Sequence, residues 1–132
     1  MIEYQVNNTG LNEEEQGAVK KIAMGVLNEM EKNQKHCLER CTSFADTGID
    51  YLLRTDAENP RIEGCDENPF DQHYWLAFDI NEKQVVIDPI FDYIGLESEA
   101  PDKNQKYYQR KRKVEAHKPH WEGGVRVKTI GI

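Results

Sequence analysis

Three side chains in this sequence have the types and order that thiol chemistry needs. Cys37 lies in the run Asn33-Gln34-Lys35-His36-Cys37-Leu38-Glu39-Arg40-Cys41. His73 opens the apolar run His73-Tyr74-Trp75-Leu76-Ala77-Phe78, and Asp88 follows Val85-Val86-Ile87 and precedes Pro89. A thiol is a weak nucleophile until it ionises, and its pKa of about 8.5 falls near a helix N-terminus or a protonated histidine. The unpaired N–H groups of a helix start also hold a developing oxyanion. A histidine then carries the proton, and a carboxylate orients the histidine. The expected roles are Cys37 as nucleophile, His73 as general base and Asp88 as the orienting group.

The element expected to carry the thiol is a helix over about residues 37–54. Its apolar stripe is Leu38, Cys41, Ala45, Ile49 and Leu52, at spacings of three and four. Cys37 lies at the edge of that stripe, near the expected helix start. Cys41 lies one turn inside it, where a small buried cysteine is ordinary. Cys37 is therefore the expected nucleophile, with Cys41 as the alternative.

The other two side chains depend on a hairpin. Residues 72–80 and 84–90 are rich in aromatic and β-branched residues and flank Asn81-Glu82-Lys83. A two-residue turn at Asn81-Glu82 pairs Phe78 with Val85, Leu76 with Ile87 and Trp75 with Asp88. His73 and Asp88 then share a face and lie diagonally. A three-residue loop would move Asp88 to the Leu76 face. The triad thus requires the even register or a compensating bulge.

Around this hairpin the pattern predicts one α+β domain over residues 1–132. Residues 2–6 alternate as a short strand. Asn12 followed by Glu13, Glu14 and Glu15 reads as an N-cap with an acidic first turn. The stripe Val19, Ile22, Ala23, Val26, Leu27 and Met30 carries that helix to about residue 33. Residues 55–72, with two prolines and six acidic side chains, read as a loop. Residues 102–117 read as a charged third helix, and 125–130 as a terminal strand after Gly123-Gly124. The expected architecture has N-terminal helices on a small antiparallel sheet built from the 72–90 hairpin and the terminal strand. Its core spans 12–95.

Charge narrows the partners. The 132 residues carry a net −7. Residues 101–132 hold nine Lys/Arg and three Asp/Glu, which leaves 8 basic and 21 acidic residues, or −13, in 1–100. Wholesale binding to nucleic acid or anionic membrane is not favoured by that balance, and the basic segment is expected to dock on the acidic body. The N-terminus has neither a basic region nor an apolar run, and no stretch approaches the ~20 apolar residues of a membrane span. Three cysteines is an odd number, which fits free thiols and a reducing compartment.

Cys at a helix start, then His73-Tyr74-Trp75-Leu76, then Val86-Ile87-Asp88-Pro89, resembles the papain-like and transglutaminase-like cysteine enzymes. In size it is most similar to small papain-fold toxin and effector domains of bacteria. The resemblance covers about residues 34–90. It implies a helix bearing Cys37 packed on an antiparallel sheet bearing His73 and Asp88, with Gln34 as an oxyanion donor. Many relatives have Gly before the cysteine, where this chain has His36. Ala45 and Leu52-Leu53-Arg54 after Cys41 also match the pattern that follows the transglutaminase-type cysteine. The implied chemistry is acyl transfer from an amide of a protein substrate, ending in hydrolysis, deamidation or cross-linking, with no cofactor and no metal. Implied settings are the cytoplasm, or delivery into a target cell within a larger toxin, with a cognate immunity or inhibitor protein as partner.

Two other readings fit the same residues. Cys37, Cys41, Cys65 and His73 supply the donors of a Cys₃His zinc site, although no tight Cys-x-x-Cys pair is present. The acidic body with its 56–71 loop suits a non-catalytic immunity or inhibitor protein that binds a basic partner. His117 and His120 flank Pro119, which argues against helical ligand spacing there. Tyr107, Tyr108 and the cations 110–113 read as a solvated helix face rather than a nucleic-acid contact.

Overall fold

The computed structural model describes residues 6, 10–33, 41–65, 73–117 and 126–131. The chain is α+β, with three helices and a six-stranded antiparallel sheet among these residues. Helix α1 runs Glu13–Asn33 and starts in a reciprocal capping box. Asn12 Oδ1 accepts the Glu15 N–H at 2.8 Å, and Glu15 Oε1 accepts the Asn12 N–H at 2.9 Å. Helix α2 runs Cys41–Leu52. Cys37, Gln34 and the rest of 34–40 lie outside the described residues, so the described helix opens at Cys41. The two helices meet closely at Gly25, where the Tyr51 ring occupies the space a Cβ would need.

The strands are β1 Glu58–Cys65, β2 His73–Ile80, β3 Lys83–Asp88, β4 Tyr93–Leu96, β5 Arg112–His117 and β6 Arg126–Gly131. Their order across the sheet is β4-β3-β2-β1-β5-β6. Helix α3, Asp102–Gln109, and a 3₁₀ turn, Glu97–Glu99, lie between β4 and β5. Of the expected N-terminal strand only Val6 is described, in an isolated parallel bridge to Ile94.

The sheet is covered on both faces. Val19, Ala23, Val26 and Leu27 of α1 and Ala45, Ile49 and Leu52 of α2 bury one face, formed by Ile62, Leu76, Phe78, Val85 and Ile87. The opposite face carries Cys65, Trp75, Ala77, Val86 and Tyr93, packed with Ala100 and Tyr108. A strand buried on both faces has no polar side and reads as a continuous apolar run. That is why 74–78 shows no alternation.

Two segments differ from the sequence expectation. Residues 58–65 are not loop but strand β1, paired with β2 on one side and β5 on the other. Its charges hide the pattern, because they are neutralised inside the sheet. Arg61 Nε donates to Glu63 Oε1 at 2.7 Å, Arg61 Nη1 to Asp79 Oδ1 at 3.0 Å, and Lys111 Nζ lies 3.3 Å from Glu63 Oε1. Asn59, at φ 48°, sits in the irregular register between Glu58 and Arg61, which lets Pro60 be accommodated. Residues 102–117 are not one helix. The helix ends at Gln109, and 112–117 form β5, with Val114 opposite Ile62 in the core. The 72–90 hairpin and the terminal strand are therefore not neighbours, since β1 and β5 lie between them.

Candidate functional site

The β2–β3 connection decides the site. Asn81 and Glu82 have φ of 48° and 67°, the two left-handed residues of a type I′ turn. Ile80 then pairs with Lys83, Phe78 with Val85 and Leu76 with Ile87. This is the even register, and it places His73 and Asp88 on one face. His73 Nε2 lies 2.6 Å from Asp88 Oδ2, with both side chains buried.

Asp88 is fully enclosed and satisfied by donors. Its Oδ1 accepts the N–H groups of Ile90 at 3.1 Å and Phe91 at 3.3 Å. This is an Asx turn closed over Pro89, the geometry that Asp-Pro favours. Its Oδ2 accepts the Tyr108 hydroxyl at 2.7 Å as well as contacting His73. With Asp88 as the acceptor in this contact, the proton lies on His73 Nε2 and the ring's lone pair on Nδ1. Burial, then the Asp88 charge, push the Tyr108 hydroxyl far above its ordinary pKa, so it stays a donor at any working pH.

Aromatic rings enclose the imidazole. Phe91 lies 4.3 Å from it between centroids, Trp75 5.5 Å, and Tyr107 5.5 Å in an edge-on contact. Such a wall excludes water and holds the ring plane, which strengthens the His–Asp interaction. Tyr107 and Tyr108 come from α3, a segment the sequence reading assigned to a solvated face. Their signal was present: adjacent tyrosines point about 100° apart on a helix, so two neighbours can be reached at once. It was masked by the flanking charges.

The three cysteines are placed differently. Cys65 pairs across β1–β2 with His73 on the same face and is buried. Cys41 is the first residue of α2, and Cys37 lies outside the described residues. Helix α2 covers the face opposite His73. Among the described residues no group of three His, Cys, Asp or Glu side chains is arranged to hold a metal ion. His120 lies outside the described residues, and His117 ends β5.

A separate cleft of about 320 Å³ is lined by Gln84, Glu97, Ser98, Tyr108 and Gln109. Lys111 Nζ donates to Gln84 Oε1 at 2.7 Å and to Glu97 Oε2 at 2.6 Å. Burial raises the Glu97 pKa against the lowering effect of Lys111. Among the described residues no helix is long and apolar enough to cross a membrane.

No protein-family model, curated protein or solved structure matches this chain.

Proposed function

We propose that this domain is a thiol-dependent acyl-transfer or hydrolytic enzyme with a papain/transglutaminase-type core. Cys37 is the nucleophile, His73 the general base and Asp88 the group that orients it. The observation that carries the reading is the buried His73 Nε2–Asp88 Oδ2 contact at 2.6 Å; with the proton on Nε2, Nδ1 is the ring nitrogen that acts as the base. His73 Nδ1 takes the thiol proton as sulfur attacks the carbonyl carbon of an amide, and returns that proton to the leaving amine. Water then cleaves the thioester in hydrolysis or deamidation, and an amine does so in cross-linking. A protein amide as substrate and a cognate inhibitor protein as partner follow from the same reading.

Iodoacetamide alkylation of Cys37→Ala, Cys41→Ala and Cys65→Ala across pH tests this. The expected result is a fast thiol with a pKa below about 7, lost in Cys37→Ala and slowed in His73→Ala. Persistence of the fast thiol in Cys37→Ala with loss in Cys41→Ala moves the nucleophile to Cys41. Absence of any fast, low-pKa thiol in the parent protein removes the enzyme reading and leaves the acidic binding module.

A further inference from the structure

Helix α3 supplies two adjacent tyrosines that touch both members of the His–Asp pair. Tyr107 meets the His73 ring edge-on at an interplanar angle of 67°. Tyr108 donates its hydroxyl to Asp88 Oδ2, the same oxygen that His73 Nε2 contacts. Tyr108 is 1% exposed. Its ring stands edge-on to Trp75 at 4.7 Å and lies tilted against Tyr93 at 6.4 Å, so the hydroxyl has little freedom to turn away.

We infer that Tyr108 is a positioning residue that sets both the orientation and the basicity of His73 by sharing Asp88 Oδ2 with it. This rests on the proposed function for its catalytic consequence, but its geometry stands without the thiol. Two donors on Oδ2 and two backbone donors on Oδ1 leave the carboxylate no rotation that keeps all four bonds. With its proton on Nε2, the imidazole is thereby held in one orientation against Asp88. The phenol also draws charge from the carboxylate, so Asp88 stabilises a protonated His73 less than it would alone. Among the described residues, the titratable groups placed on the His73 side of the sheet include Asp88 from β3, Tyr107 and Tyr108 from α3, and Cys65 from β1. Of these, Asp88 has a direct polar contact with the ring, and Tyr108 reaches His73 through it.

The test is a titration of the His73 ring by NMR, assigned with His73→Gln, in three proteins. Tyr108→Phe keeps the packing and removes the donor, and the His73 midpoint is expected to rise by roughly one pH unit. Incorporation of 3-fluorotyrosine at 108 makes a stronger donor at nearly unchanged size, and the midpoint is expected to fall. Tyr107→Phe retains the ring contact, and no shift is expected. Because a protonated histidine lowers the pKa of a neighbouring thiol, the acid limb of thiol alkylation should move opposite to the His73 midpoint in each variant.

A His73 midpoint that stays within about 0.2 unit in both 108 variants overturns the inference. The fluorotyrosine protein decides the matter if Tyr108→Phe does not fold. Shifted midpoints without an activated thiol would leave the Tyr108–Asp88–His73 chain standing and remove the enzyme reading. An activated thiol with unmoved midpoints would do the reverse.

Discussion

Replacement of Asp88 by Asn separates a working His–Asp pair from two side chains that merely touch. Asp88 is fully buried and accepts two backbone N–H groups, the Tyr108 hydroxyl and the His73 ring. The amide oxygen of Asn can keep the backbone donors of Ile90 and Phe91. Its NH₂ then faces Tyr108 and His73, two groups that had been donating. The Tyr108 proton must turn away, and His73 must move its proton from Nε2 to Nδ1. Hydrogen bonds to a charged acceptor contribute about 1.5–3 kcal/mol each and neutral ones about 0.5–1.5 kcal/mol, so two conversions lose about 2–3 kcal/mol. The displaced phenol proton adds about 1 kcal/mol in a dry site. Against this, a neutral amide is cheaper to bury than a carboxylate, which offsets part of the loss. The net expectation is a destabilisation of about 2 kcal/mol, or a urea midpoint lower by about 1 M at unchanged slope. Imidazole ¹⁵N shifts should report the proton on Nδ1, and the fast thiol should disappear. A variant as stable as the parent, or more stable, would refute the reasoning, because desolvation of Asp88 would then outweigh its donors.

Two further predictions concern the scaffold under this pair. Glu15 is held at a pKa of about 2, first by the Lys83 hydrogen bond, then by the Asn12 backbone and Asn81. Its folded value lies below the ordinary 4.5, so its contribution is complete above about pH 4.5 and is lost as pH falls toward 2. Lys83→Met should therefore shift acid unfolding, followed by circular dichroism, to higher pH, and an unmoved acid midpoint would contradict this. Glu82, at φ 67°, occupies a turn position that glycine fills without strain. Glu82→Gly should stabilise the domain by about 0.5–1 kcal/mol, seen as a raised thermal midpoint. A lowered midpoint would mean that Glu82 makes a contact worth more than its strain.

The elements legible in the sequence were those whose burial leaves a period in the residues. Helix α1 has an apolar face at three and four and a polar cap, and both follow from local geometry. The β2–β3 hairpin was legible for a different reason. Its parity admits two registers, and only one of them puts His73 and Asp88 on the same face. Strand β1 left no such trace. Arg61 and Lys111 offset Glu63 and Asp79 only once β1 lies between β2 and β5, so an acidic, proline-containing segment reads as loop until its partners are known. Strand β5 was hidden in the same way, because Lys111, the residue that leads into it, meets Glu63 and Glu97 across the fold, while Val114 marks its buried side.

By itself the sequence determined the residue types and the even spacing that let an imidazole and a carboxylate meet. Those depend on the two-residue period of a strand and the turn that joins the pair. Tertiary structure alone decided what surrounds them. It brought Tyr107 and Tyr108 from twenty and more residues downstream against β2 and β3, put Cys65 across from His73, and placed α2 on the far face. None of these contacts has a local signature, because each depends on which strands become neighbours. That choice is made by burial and charge compensation over the whole sheet.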